Sequence, residues 1–195
     1  MELSKRQNEI VDAALHLTAT RGIQHLTLKN LSEVIGISEP GLYRHFRSKS
    51  EIIAAMISRF EGGVSTASAG VRGFRAIRGF VEGRLKQVES TPDLARVMFA
   101  EELFLDDAEF SAKLMSMMHK HRSELSQRFA EAVEDGEIPA GLPQDALFRI
   151  VMGPIRLLVK QWGMTGGAFD LWKKGQELLD TLESLFKRRN ENHEA

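Results

Sequence analysis

The chain has 195 residues, 43% of them hydrophobic and 27% charged, and no cysteine. That composition fits a globular protein of one or two domains and excludes a disulfide framework, a thiolate nucleophile and thiolate zinc sites. The net charge of −1 divides unevenly, with seven Lys/Arg against five Asp/Glu in residues 1 to 50 and 19 against 22 in the remainder, an imbalance too small to mark a nucleic-acid binder by itself.

From the N-terminus, Ser4-Lys5-Arg6-Gln7 matches a capping box, in which a serine oxygen and a glutamine side chain satisfy the orphan amides of a helix start reciprocally. Ile10, Val11, Ala14, Leu15 and Leu17 then mark one apolar face as far as Gly22, a helix stop. A second helix opens at Thr27, carries Leu28, Leu31, Val34 and Ile35, and breaks at Gly36. Ser38 is a good N-cap for a short third helix ending near His45, roughly eight residues or about 12 Å, which matches the width of a DNA major groove. Ser48-Lys49-Ser50-Glu51 is a second capping box and launches a fourth helix with Ile52, Ile53, Met56, Ile57 and Phe60 inward.

Glycines at 62, 63, 70 and 73 loosen the segment that follows. Helices are then expected around Val71 to Val88, from Thr91-Pro92, from about Asp107 to Glu134, near 143 to 163 and near 168 to 189, with DGEIPAGLP as a loop. No stretch alternates apolar and polar residues as a half-buried strand does. The expected fold class is all-α: a helix-turn-helix domain in residues 1–50 and a larger helical domain for ligand binding and dimerisation in residues 51–195. No apolar run approaches the roughly 18 residues of a membrane span. The opening MELSKRQNEI is too polar for a signal peptide, so a cytoplasmic location is expected.

Residues 10 to 53 read I-V-D-A-A-L…G-I-x-x-L-T-L-x-x-L-S-x-x-I-G-I-S-E-P-G-L-Y-R-H-F-R-S-K-S-E-I. This resembles the DNA-binding segment of TetR-family transcriptional regulators, with Ala13-Ala14, Gly22, Leu26-Thr27, Leu31, Gly36, Ser38, Pro40, Leu42-Tyr43, His45-Phe46 and Lys49 at the family's spacings. The resemblance implies a repressor that binds a palindromic operator on double-stranded DNA as a homodimer and is released by a small-molecule effector. It implies DNA contacts at Thr27, Lys29, Ser38, Glu39, Pro40, Gly41, Tyr43, Arg44, His45 and Lys49. Tyr43, Lys49 and the helix starts at Thr27 and Lys49 meet phosphates. Glu39, Gly41, Arg44 and His45, with Lys29 nearby, face base edges. Glu39 and Gly41 depart from the family's usual residues, and an acid there is costly unless it accepts from a cytosine amino group.

A dimer also follows from energetics. Each good base contact is worth about 1–3 kcal/mol, and two short helices about 34–36 Å apart on one DNA face double the contact set. For the interface the apolar spacing offers Leu147, Val151, Ile155 and Trp162 on one helix and Leu171, Leu178, Leu182 and Leu185 on the next. The effector region is expected to include Phe74, Met98, Phe104, Phe110, Met115, Met118 and Met152, with His119 or Arg156 as polar anchors; methionines and aromatics at helical spacing also suit an ordinary core. The effector is expected to be an apolar or aromatic small molecule.

An enzyme is not expected. His119 and His121 lie two apart, about 200° around a helix, and cannot clamp one metal. There is no P-loop, G-x-G-x-x-G or G-x-S-x-G element, so neither a cofactor nor a metal is expected. The alternative is an architectural DNA-binding protein without ligand control, against which a large acidic second domain weighs.

Overall fold

The computed structural model describes residues 3–61, 70–97 and 108–191, and their side chains apart from those of 109, 110 and 188–191. Among the described residues are nine α-helices and no strand: α1 (Lys5–Arg21), α2 (Leu28–Ile35), α3 (Glu39–Tyr43), α4 (Lys49–Glu61), α5 (Gly73–Ser90), α6 (Asp93–Val97), α7 (Ala108–Glu134), α8 (Gln144–Met164) and α9 (Leu171–Glu191). No helix of the described residues is long and apolar enough to cross a membrane. The chain forms two compact units, one of residues 1–61 with 96–117 and one of 62–95 with 118–195.

In the first unit α1 packs on both α2 and α4, and α2 on α3. Its core is built from Ile10, Val11, Ala14, Leu15, Leu31, Leu42, Ile52, Ile53, Met56 and Phe60, each at most 1% exposed. The capping box at Ser4 forms as the sequence predicts: the Ser4 hydroxyl accepts from the Gln7 amide, and the Gln7 side chain accepts from the Ser4 amide. At α4 half of the box forms as the sequence predicts, and the reciprocal bond moves back by one residue. The Glu51 amide donates to Ser48 Oγ at 3.2 Å, whereas the Glu51 carboxylate accepts from the Arg47 amide at 2.7 Å.

In the second unit α5 packs along α9, and α8 packs on both. Gly175 on α9 sits against Leu85 of α5 so closely that a Cβ there would collide with the leucine side chain. This glycine therefore brings two helices of one protomer together. Gly153 on α8, by contrast, has open space around it. The N-terminus of α5 is satisfied from across the unit: the Glu137 carboxylate accepts from the Phe74 amide at 2.6 Å and that of Glu131 from the Gly73 amide at 3.4 Å. Arg78 ties α5 to α9 through Gln176, Asp180 and Glu183.

The stripe expected to form the dimer interface is largely interior. Leu147, Val151 and Ile155 on α8 and Leu171 and Leu182 on α9 are at most 5% exposed. They face their own protomer's core and have no surface to offer a partner. Trp162 and Leu178 are half-buried, and Leu185 is exposed. A second apolar stripe lies on another face of α8, at a spacing of seven residues: Ile150, Leu157 and Met164 are all exposed.

Candidate nucleic-acid interface

The first unit sets a very short helix on a rigid frame. Thr27 adopts an extended conformation as N-cap of α2, and its hydroxyl accepts from the Asn30 amide at 3.1 Å. The helix ends at Gly36, whose φ of 72° and ψ of 36° lie in the left-handed region, where a Cβ is disfavoured by about 1 kcal/mol or more. That turn redirects the chain into α3. Ser38 caps α3 by accepting from the Gly41 amide at 3.2 Å.

The sequence predicts a third helix reaching His45; the structure ends α3 at Tyr43. The amides of His45 and Phe46 both return to the Leu42 carbonyl, at 2.9 and 3.1 Å, so the last turn tightens and closes there. Leu42 and Phe46, 0% and 4% exposed, anchor the two ends inward. Outward stand Glu39, Pro40, Tyr43 and Arg44, with Ser38 at the cap. Lys29 on α2 is exposed, while Lys49 at the start of α4 is half-buried.

Two of the expected base readers are placed differently. Gly41 is buried: a Cβ there would come within 3.3 Å of Ser38 Oγ and 3.7 Å of the Ile37 side chain. Gly41 therefore lies beneath the cap and the preceding loop and offers no side chain to a base. His45 is half-buried, and its carbonyl accepts from Gln7 Nε2 at 3.1 Å. Gln7 thus braces the chain just past α3, a tie that sequence reasoning missed; its capping role is legible in the chain, its second partner 38 residues away is not.

The described members of the expected effector set differ in exposure. Met98 and Phe104 lie outside the described residues, and so does the side chain of Phe110. Met115, Met118 and His119 are exposed. The inward stripe of α7 is instead Leu114, Met117, Leu125, Phe129 and Ala132, and Met115 and Met118 each follow one of its members by about 100°. Phe74 packs edge-on against Phe186 of α9 at 6.0 Å, while Met152 and Arg156 are half-buried.

What the structure does bury is a polar cluster between α5 and α7. Arg84, 6% exposed, donates to Gln87 Oε1 at 2.9 Å and lies within 3.1 Å of the His121 ring nitrogens. Phe80 meets His121 edge-on at 5.7 Å, and the Arg84 guanidinium stands 5.7 Å from the same ring. Burial, reinforced by the charges of Arg84 and Lys120, pushes the imidazole down to about 4, so near neutrality it is uncharged and accepts from the guanidinium.

Residues 10–56 match the model of bacterial regulatory proteins of the tetR family. The nucleoid occlusion factor SlmA of Photobacterium profundum is 27% identical over 134 residues, covering 66% of this chain and 68% of that protein. The fatty acid degradation regulator FadR from Bacillus halodurans shares the fold with a TM-score of 0.76 at 18% identity, over 94% of this chain and 97% of that one. The transcriptional regulator FadR from Bacillus subtilis, solved in complex with stearoyl-CoA, does so with a TM-score of 0.72 at 21% identity, over 93% of this chain and 98% of that one. With the short helix, its left-handed glycine turn and its capped flanks in place, residues 10–56 form a helix-turn-helix segment of the tetR-family kind, and the chain resembles the DNA-binding transcription regulators of that family.

Proposed function

We propose that two copies of this chain bind an inverted-repeat operator in the cytoplasm and repress transcription until an apolar or aromatic small molecule releases them. The observation that carries this reading is α3, which exposes Glu39, Pro40, Tyr43 and Arg44 on a frame closed by Leu42 and Phe46. In this reading Arg44 and Glu39 meet base edges, with Lys29 and His45 beside them. Tyr43, Lys49 and the start of α2 at Thr27 meet phosphates, and Ser38 and Gly41 hold the helix in shape. Five residues, roughly 7.5 Å of helix, give too few contacts for specificity from one copy, which is the physical reason for two.

The face we assign to the second copy is the open stripe of Ile150, Leu157 and Met164 on α8 with Leu185 on α9, all exposed. Its spacing of seven on α8 suits a helix-on-helix seam, and the exposed Gly153 between leaves room for close approach. The stearoyl-CoA complex of a regulator with this fold supports an apolar effector. Inverting a 99:1 preference between two states needs about 5.5 kcal/mol of differential affinity, so the effector must be mostly enclosed. Arg84, buried on α5 and hydrogen-bonded to Gln87, suits one with a polar end. The regulator works by binding alone, without catalysis.

Selection from random inverted-repeat duplexes, at about 0.15 M salt, tests the operator. A single preferred palindrome bound by a dimer is expected, and Glu39→Gln should change the base preferred at one position of each half-site. Binding that ignores sequence would overturn it. The likeness to a nucleoid occlusion factor favours a second reading, architectural DNA binding without ligand control; binding that no small molecule relieves would favour that one.

A further inference from the structure

We propose that Lys113, on α7, is a positioning residue for DNA binding, holding the first turn of α4 in place. Its ammonium donates to Ser50 Oγ at 2.8 Å and to the Ser50 carbonyl at 3.2 Å. Ser50 is the second residue of α4 and directly follows Lys49. Residues 96–117, which include Lys113, group with α1–α4 in the same compact unit. A lysine outside the helix-turn-helix match at residues 10–56 thus grips the turn from which Lys49 projects.

Two acceptors on one residue fix that turn in both rotation and height. The flanking bonds act along the chain only: Glu51 to Ser48, and Arg47 to Glu51. Lys113 reaches the same turn from another helix. It is poorly suited to being a stability device, because the N-terminal end of a helix carries partial positive charge and disfavours a nearby cation. Its effect falls on geometry. A turn free to rotate would swing the Lys49 side chain, and a phosphate contact is lost when its donor moves by about 1 Å.

The test uses the full chain and the palindrome selected by the wild type, with Kd measured across a salt series and melting followed in parallel. Lys113→Met keeps the stem and removes the donor. It should weaken binding about tenfold, the size of one hydrogen bond to a charged group, and lower the slope of log K against log salt by up to about one as the Lys49 phosphate contact is lost, while melting falls by no more than about 2–4 °C. Lys113→Arg should recover binding to within about threefold, because it keeps a charged donor. Ser50→Ala, which deletes one acceptor oxygen, should weaken binding by about two- to fivefold and serves if Lys113→Met does not fold. Unchanged affinity in Lys113→Met or Ser50→Ala would overturn the inference. So would an equal further loss from Lys113→Met in a Lys49→Met background, which marks a contribution that does not pass through Lys49. The inference rests on the DNA-binding reading: a wild type that selects no duplex removes both, and wild-type selection with an unaltered Lys113→Met removes this one alone.

Discussion

Gln7 joins the start of α1 to the chain just past α3: its side-chain nitrogen donates to the His45 carbonyl at 3.1 Å while its oxygen accepts from the Ser4 amide at 3.0 Å. One planar amide serves both, so the oxygen's role in the capping box fixes the direction in which the nitrogen points. Gln7→Glu separates the two functions. It keeps the acceptor that the box needs and loses the donor. Melting should fall by no more than about 2–4 °C, the loss of one ordinary hydrogen bond in a chain of this size. DNA affinity should fall several-fold, and the loss should persist at salt high enough to screen the added charge. Retained affinity would count against the tie as a positioning device.

Gly36 offers a cleaner test of backbone strain. Its φ is 72°, and a Cβ built on it meets nothing within 4 Å, so a substitution feels the backbone and no neighbour. Gly36→Ala should cost about 1 kcal/mol in denaturant unfolding, and Gly36→Asn about half that, because asparagine tolerates the left-handed region. A cost above about 3 kcal/mol for alanine would show that something other than backbone strain is at stake.

These two residues also mark where the sequence is legible. Gly36, Ser4, Thr27 and Ser38 act on partners three or four residues away, and such local chemistry leaves a pattern in the chain. Gln7 and His45 are 38 residues apart, Arg84 and His121 37, and Lys113 and Ser50 63; no local pattern announces such pairs. The helix α8 is an intermediate case. Its period of apolar residues is readable, but it carries two apolar stripes, and periodicity alone does not say which one faces inward. The spacing-of-four stripe Leu147, Val151 and Ile155 is the buried one. The short helix is readable from its cap, though not its early end at Tyr43, which the anchoring of Leu42 and Phe46 imposes.

The two stripes predict opposite behaviour on substitution. Leu147, 0% exposed, belongs to the protomer core, and Leu147→Ala should cost about 2–5 kcal/mol of stability. Leu157, 56% exposed, lies on the stripe assigned to the second copy. Leu157→Glu should leave the helical content unchanged and yield a monomer in sedimentation, with specific DNA affinity reduced by about two orders of magnitude or more as the paired half-site contacts are lost. If Leu157→Glu remained dimeric, the outer stripe would not be the interface.

His121 gives the stability of the second unit a pH dependence whose sign follows from its surroundings. Its imidazole is pushed from 6.5 to about 4 by burial first, then by the charges of Arg84 and Lys120. Above pH 6.5 both folded and unfolded chains hold it neutral, and its contribution is fully present. Between pH 6.5 and about 4 the unfolded chain takes up a proton that the folded one refuses, so stability declines as the pH falls. The slope should stay below the full value of about 1.4 kcal/mol per pH unit, because the ring is only half-buried and solvent screens part of the effect. His121→Gln keeps an acceptor for Arg84 and removes the titration. Urea unfolding of wild type and variant should therefore diverge as the pH rises, with the wild type the steeper of the two between about pH 4.5 and 6.5. Parallel curves would mean that the imidazole is charged in the folded protein, and that Arg84 must then find its acceptor elsewhere.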